Sequence, residues 1–326
     1  MTPRFAAALS QHPVASHAVG EVAGEVLEAF GGDDPDLVVC FASPHFVGTM
    51  DDLAFALSNL LGARVLMGAT AVSIIGGAHE IEDGPALSVF AASLPDARLT
   101  PVALDVEHTP DGATITGWPD LDHEPSTLLL LADPFSFPID GFLHQSNLVL
   151  PGGGRPLQII GGAASAARGP GGNRLVLDSR VTTSGAVGVF LDGVDVRTVV
   201  SQGCRPVGSP YMITRGERNR VEELAGQSAL ERLQECASTA SEEDRMLMRA
   251  GLHLGLVVDE HQAEFGRGDF LVRNVLGGDQ ESGAIVIGEE IAVGQTVQFH
   301  VRDAAAADED LRELLSGVDA AAALLF

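Results

Sequence analysis

The chain has 326 residues, 45% hydrophobic and 20% charged, enough for one large core or two ordinary ones. With 45 Asp and Glu against 19 basic residues its formal net charge is -26, which sets aside nucleic acid and anionic membrane surfaces as partners. Every basic residue is arginine, which excludes a phosphate-binding Gly-Lys-Ser/Thr loop, a lysine Schiff base and a pyridoxal-phosphate aldimine.

At the start, Arg4 precedes a short apolar stretch, Phe5 to Leu9. Gln11, His12 and His17 interrupt it too early for a secretion signal. No run approaches the length of a membrane span. Cys40, Cys204 and Cys236 lie far apart without a Cys-x-x-Cys pair, so they read as reduced thiols, and the expected location is cytoplasmic. Aromatics make up only 5%, so the core is expected to be aliphatic.

Val19, Val22, Ala23, Val26, Leu27 and Phe30 recur at helical spacing, and Gly31-Gly32 ends that helix. DLVVCFASPHF reads as a buried strand, 50–61 as a second amphipathic helix, and VLMGAT (65–70) as a strand ending near Gly68. Strands separated by Asp-Gly and Pro-Asp turns follow, from Ile81 to Leu104. The order then recurs. LLLLADPF (128–135) parallels LVVCFASPHF, LQIIGGAAS (157–165) parallels RVLMGATAVS, and SGAVGVFLDG (184–193) parallels GPALSVFAASL (84–94). A helix fits between the first two members of each set, which predicts a duplicated β-α-β-β unit of roughly 90 residues.

SQGCRPVGSP, rich in Gly and Pro, reads as a hinge at a boundary near residue 201. Beyond it come a hairpin over YMITRGERNRVEEL, helices at QSALERLQECAS and 241–251, and strands at LHLGLVVDE, DFLVRNVLGGD, GAIVIGEEI and QTVQFHVRD. ADEDLRELLSG reads as a helix and AAALLF as an unfinished strand. The expected fold is α+β. It has two domains, 1–200 and 201–326, of mixed, largely antiparallel sheets covered by helices, the first as αββα layers.

These segments resemble the FIST family of intracellular signal-transduction proteins. SPHF, the strand ending GAT and LPGGGRPLQIIGGAAS resemble its N-terminal domain. SQGCRPVGSPYMITR resembles its linker, and FLVRNVLGGDQESGAIVIGEEIAVGQTVQFHVRDA with the closing AALLF resembles its C-terminal domain. The chain departs from the family by reading GATAVSIIGG where a Gly-Glu is usual. The family also continues past AALLF, so the resemblance implies a C-terminal domain incomplete at its end. The implied function is sensing of a small ligand such as an amino acid or another small carboxylate, with a protein signalling partner downstream. Some members look like haem-linked gas sensors, so the cofactor stays open between none and haem.

Within GCRPVG, Gly203 permits unusual backbone angles, and Arg205 offers a planar fork for a carboxylate. Cys204 beside it is either a reactive thiol or an ordinary loop residue, and Arg205 either an anion receptor or the partner of an acidic neighbour. In QTVQFHVRD, alternation sets Gln298, His300 and Arg302 on one face, which either lines a pocket, with His300 as a haem ligand in one version, or faces solvent. Arg273 and Asn274 either join that pocket or cap a turn. Gly68, Thr70, Gly161 and Gly162 either present N–H groups to a ligand or mark tight strand packing. No Gly-x-Ser-x-Gly elbow or His-Glu-x-x-His motif is present, and the Gly-rich 152–172 stretch lacks a Gly-x-Gly-x-x-Gly register. The reading is therefore a binding protein and not an enzyme. A domain movement about 201–210 would report occupancy, and a Cys204-dependent enzyme is the lesser alternative.

Overall fold

The computed structural model describes residues 3–109, 112–121, 125–149, 157–262, 265–266 and 268–326. It forms two compact units, Met1–Arg197 with Ala320–Phe326, and Thr198–Asp319.

The first unit opens with β1 (Arg4–Ser10), α1 (Ala15–Phe30), β2 (Leu37–Ala42), a 3-10 turn at Pro44–Thr49, α2 (Met50–Leu61) and β3 (Val65–Thr70). A small hairpin, β4 (Ile74–Gly76) and β5 (His79–Ile81), leads to β6 (Leu87–Ser93). Then follow β7 (Arg98–Thr109), β8 (Gly112–Thr116), β9 (Thr127–Ala132), α3 (Ile139–Val149) and β10 (Gln158–Ala163). A second small hairpin, β11 (Leu175–Leu177) and β12 (Arg180–Thr182), leads to β13 (Ala186–Asp192). The helices stand where the apolar spacing predicts them. α1 buries Val19, Val22, Ala23, Val26 and Phe30 and stops at Gly31, whose φ of 63° is left-handed.

The duplication is explicit in the strand pairing. β2 runs parallel to β3 and antiparallel to β6, which pairs with β1; β9 runs parallel to β10 and antiparallel to β13, which pairs with β7. Even the register is shared. Ala8, Val89, Cys40 and Gly68 form one row across four strands, and Val102, Gly188, Leu130 and Gly161 form its counterpart. Two pairings break the equivalence: β8 adds antiparallel to β7, and β11 adds antiparallel to β3, extending the first sheet to β1-β6-β2-β3-β11-β12. The second sheet, β10-β9-β13-β7-β8, leaves β10 at an edge.

The layers are α, β, β and α, as the repeat predicts. Val38, Cys40, Leu66 and Val89 meet α1 and α2 on one face of the first sheet. Leu37, Val39, Val65 and Met67 meet Leu129, Leu131, Val187 and Val189 between the sheets. Leu128, Leu130, Val102 and Phe190 meet Phe142 of α3 on the far side. Sheets covered on both faces explain why these strands read as continuous apolar runs.

The second unit contains β14 (Cys204–Glu217), β15 (Arg220–Leu224), β16 (Gln227–Ser228), α4 (Ala229–Thr239), α5 (Glu242–Ala250), β17 (Leu252–Val257), β18 (Phe270–Asp279), β19 (Ala284–Ile287), β20 (Thr296–Arg302) and α6 (Ala304–Leu315). Its strand order is β14-β20-β17-β18-β19-β15-β16, and β14 also pairs with β15, so six antiparallel strands close into a ring. Leu254, Leu256, Ile285, Ile287, Val297, Phe299 and Val301 form its aliphatic core with Ala229 and Cys236 of α4 and the half-buried Leu247 and Met248 of α5. Ser228 caps α4 in a reciprocal box with Glu231.

Two sequence expectations are corrected. Residues 204–210, read as part of a hinge, lie within β14, where Cys204, Arg205, Pro206 and Val207 pair with Arg302, Val301, His300 and Phe299. The Gly and Pro accommodate a register shift between Val207 and Tyr211, where Gly208 has a φ of 71° and the Gln298 amide donates to its carbonyl at 2.7 Å. AAALLF forms no strand. Leu324 instead packs against the core between the first unit's two sheets, and Phe326 meets Phe41 with ring centroids 5.9 Å apart.

Candidate functional site

Alternation along β20 sends Val297, Phe299 and Val301 into the aliphatic core and leaves Gln298, His300 and Arg302 on the opposite face. Register then assembles a polar group on that face. His300 stands opposite His253 of β17 and Pro206 of β14, His253 stands opposite Asn274 of β18, and Arg302 stands opposite Cys204. Four residues picked out in the sequence, Cys204, Asn274, His300 and Arg302, therefore share one face. His253 was missed. The signal was present in LHLGLV, where Leu252, Leu254 and Leu256 alternate with His253 and Gly255.

Arg205 and Arg273 fall on the other side. Arg205 stands opposite Val301; its Nε donates to Asp303 and its Nη2 to Asp244, each at 2.6 Å. Asp303 and then burial act most strongly on this guanidinium, the net effect raising its pKa; both carboxyls are held below their usual range, chiefly by Arg205. Arg273 stands opposite Leu254 and closes on Glu289, with Nε at 2.9 Å and Nη2 at 2.8 Å. A shallow depression of about 590 Å³ beside Arg205 is lined by Asp303, Asp308, Glu309 and Arg312, an acidic majority that disfavours an anion. Gly203, with a φ of 61°, accepts the Asp303 N–H through its carbonyl at 3.3 Å.

The polar face has a distinct electrostatic character. Arg302 and Asn274 are exposed, and among the described residues no carboxylate pairs with Arg302. Burial pushes the Cys204 thiol up, and the Arg302 guanidinium only partly offsets this, which opposes an activated thiolate. Burial lowers the His300 pKa, against the Gln298 carbonyl, which accepts from Nδ1 at 3.0 Å; His253 lowers it further. Burial and then Arg302 lower the His253 pKa, while the Gly251 carbonyl and the Asn274 side chain favour its protonated form. No Asp or Glu is among the groups acting on these three side chains.

His253 is 7% exposed, and its Nδ1 is the one buried side-chain polar atom without a hydrogen-bond partner among the described residues. Such an atom carries an uncompensated desolvation cost. His300 is 2% exposed, meets Phe270 edge-on at 4.8 Å, and packs so closely on Gly255 that a Cβ there would lie 2.5 Å from its Cε1. A haem plane on that imidazole would have to part these contacts, so the residues here do not fit the group. Among the described residues no cluster of three His, Cys, Asp or Glu side chains is placed to hold a metal ion.

Gly68, Thr70, Gly161 and Gly162 belong to the first unit. A Cβ at Gly68 would lie 2.3 Å from the Cys40 carbonyl oxygen, and one at Gly161 would lie 1.9 Å from that of Leu130. These equivalent glycines therefore admit a neighbouring strand. Thr70 is buried, and its Oγ accepts from the Arg174 N–H at 2.9 Å. That contact joins the two repeats, and the adjoining Asn173 donates to Asp133 at 2.9 Å, which also accepts from Ser136 at 2.6 Å within the second repeat. Gly162 lies under Phe326. All four have packing roles.

Comparison with known proteins also finds two parts, but their border falls at β16, inside the second unit, and not at Thr198. Residues 36–227 match the FIST N domain, and residues 229–326 match the FIST C domain. An uncharacterized protein of Mycobacterium tuberculosis (strain ATCC 25618 / H37Rv) is 42% identical over 310 residues, covering 95% of this chain and 79% of the relative. An uncharacterized protein of Mycobacterium bovis is 42% identical over 301 residues, covering 92% and 76%.

Proposed function

Because the chain belongs to the FIST family, whose domains are small-ligand-binding signal-transduction modules, we propose that it senses a small carboxylate metabolite of amino-acid size. The ligand sits on the polar face of the second unit, with its carboxylate on Arg302 and further polar contacts from Asn274 and His253. The observation that carries this reading is an exposed guanidinium, Arg302, with no carboxylate partner among the described residues, set beside the buried and unpartnered Nδ1 of His253. A planar guanidinium suits a carboxylate because two parallel N–H donors meet its two oxygens.

The protein acts by binding and not by catalysis, with occupancy passed to a protein partner. The raised Cys204 pKa argues against a thiol nucleophile. Three unpaired cysteines suit a reducing cytoplasm, and no helix is long and apolar enough to cross a membrane among the described residues.

Native and denaturing mass spectrometry of the purified chain, followed by calorimetric titration with a panel of amino acids and simple carboxylates, tests the reading. Arg302→Ala should weaken binding by about tenfold or more, the scale of a lost charge-assisted contact. Unchanged affinity in Arg302→Ala would remove the assignment.

A further inference from the structure

The orphaned Nδ1 of His253 points to a consequence of filling this face. His253 and His300 are directly opposed on neighbouring strands, so their rings share one face at the closest cross-strand spacing. Arg302 lies diagonally from His253, two residues beyond His300 on β20, within reach of a long side chain. Asn274 of β18 and Cys204 of β14 complete the surroundings, and neither brings a negative charge. α5, with Glu242, Glu243, Asp244, Arg245 and Arg249, packs through Leu247 and Met248 on the aliphatic side of β17 and β20. Among the described residues this face thus holds one fixed positive charge beside two imidazoles and no carboxylate that acts on them.

We infer that a carboxylate binding at Arg302 draws one proton from solvent onto the His253–His300 pair, so that the site holds its ligand more tightly in acid. The inference rests on the reading of this face as a carboxylate site.

Two effects act together. The incoming charge neutralises Arg302, the principal charged group disfavouring protonation of His253. It also places an acceptor beside a ring whose Nδ1 has none. A second proton is opposed because the two rings face each other, so the pair takes up one proton as a unit. By linkage, whatever raises the pair's affinity for a proton equally raises the site's affinity for the anion when that proton is present. Burial lowers both imidazoles, so the window in which binding drives protonation opens below neutrality.

Acetate is the probe, titrated into the full chain and followed by the imidazole resonances of His253 and His300. The expected result is an acetate Kd about tenfold lower near pH 5.5 than near pH 7.5, with an imidazole pKa that rises on saturation. In His253→Gln, checked for folding by its amide spectrum, the two Kd values should coincide. If that variant does not fold, the imidazole pKa of the wild-type chain with and without acetate decides the matter. Binding that is abolished by Arg302→Ala but equal at both pH values overturns the proton coupling and leaves the carboxylate site standing. Failure of acetate to bind at any pH overturns the carboxylate site, and the inference with it.

Discussion

Arg205 and Arg302 lie on adjacent strands but on opposite faces of one sheet, and the side each occupies decides its chemistry. Arg205 is enclosed by Asp244 and Asp303, with side-chain exposures of 24%, 20% and 17% respectively, so its role is to join β14, α5 and the start of α6. Arg205→Ala should lower the melting temperature at neutral pH by several degrees, as expected when a partner leaves half-buried carboxylates behind. Both carboxyls have depressed pKa values in the folded state. Their contribution is therefore full above the ordinary carboxylate value of about 4 and is lost as pH falls through the depressed values. The gap between wild type and variant should close across that acid range in thermal melts; a constant gap would mean that Arg205 acts through packing alone. The sequence favoured Arg205 because GCRPVG resembles a loop, and a loop hides the parity that places neighbouring side chains on opposite faces. Parity is readable in QFHVRD, where strand alternation sets His300 and Arg302 on one face, as β20 has them. His253 escaped notice because a single imidazole in an apolar strand has no distinguishing context until pairing sets it against His300.

At the scale of elements, the repeat was legible because its apolar strands are buried on both faces and its helices carry regular spacing with Gly at their ends. What could not be read was pairing between distant segments. β1 is the short Ala-rich stretch after Arg4, weak in strand propensity, and it is held by seven register pairs with β6. β11 is only three residues long and gains its place by adding to β3 of the other repeat. The glycine rows offer a direct test of the shared register. Gly68→Ala would force a methyl against the Cys40 carbonyl, where backbone cannot yield as a side-chain tip can. A loss of about 1–3 kcal/mol in urea unfolding is expected, the usual scale for overpacking a filled interior. A neutral result would show that β2 and β3 separate more readily than their pairing implies.

For the whole molecule, a charge of -26 means that self-repulsion opposes compaction wherever ion pairs do not relieve it. Raising ionic strength from about 0.01 M to about 0.15 M shortens the screening length from about 30 Å to about 8 Å. The melting temperature should rise over that range; a fall would show that attraction within the many Arg-carboxylate pairs outweighs the repulsion. The path of the chain adds a different kind of constraint. Its first unit is discontinuous, taking up Ala320–Phe326 after all of Thr198–Asp319 has intervened. On a ribosome, the two sheets of that unit would emerge and assemble long before the segment carrying Leu324 and Phe326 is synthesised. Through that interval Phe41 and Gly162 of β10 would lack the cover of Phe326, so the nascent chain would be more exposed to wrong partners while its second unit is being translated.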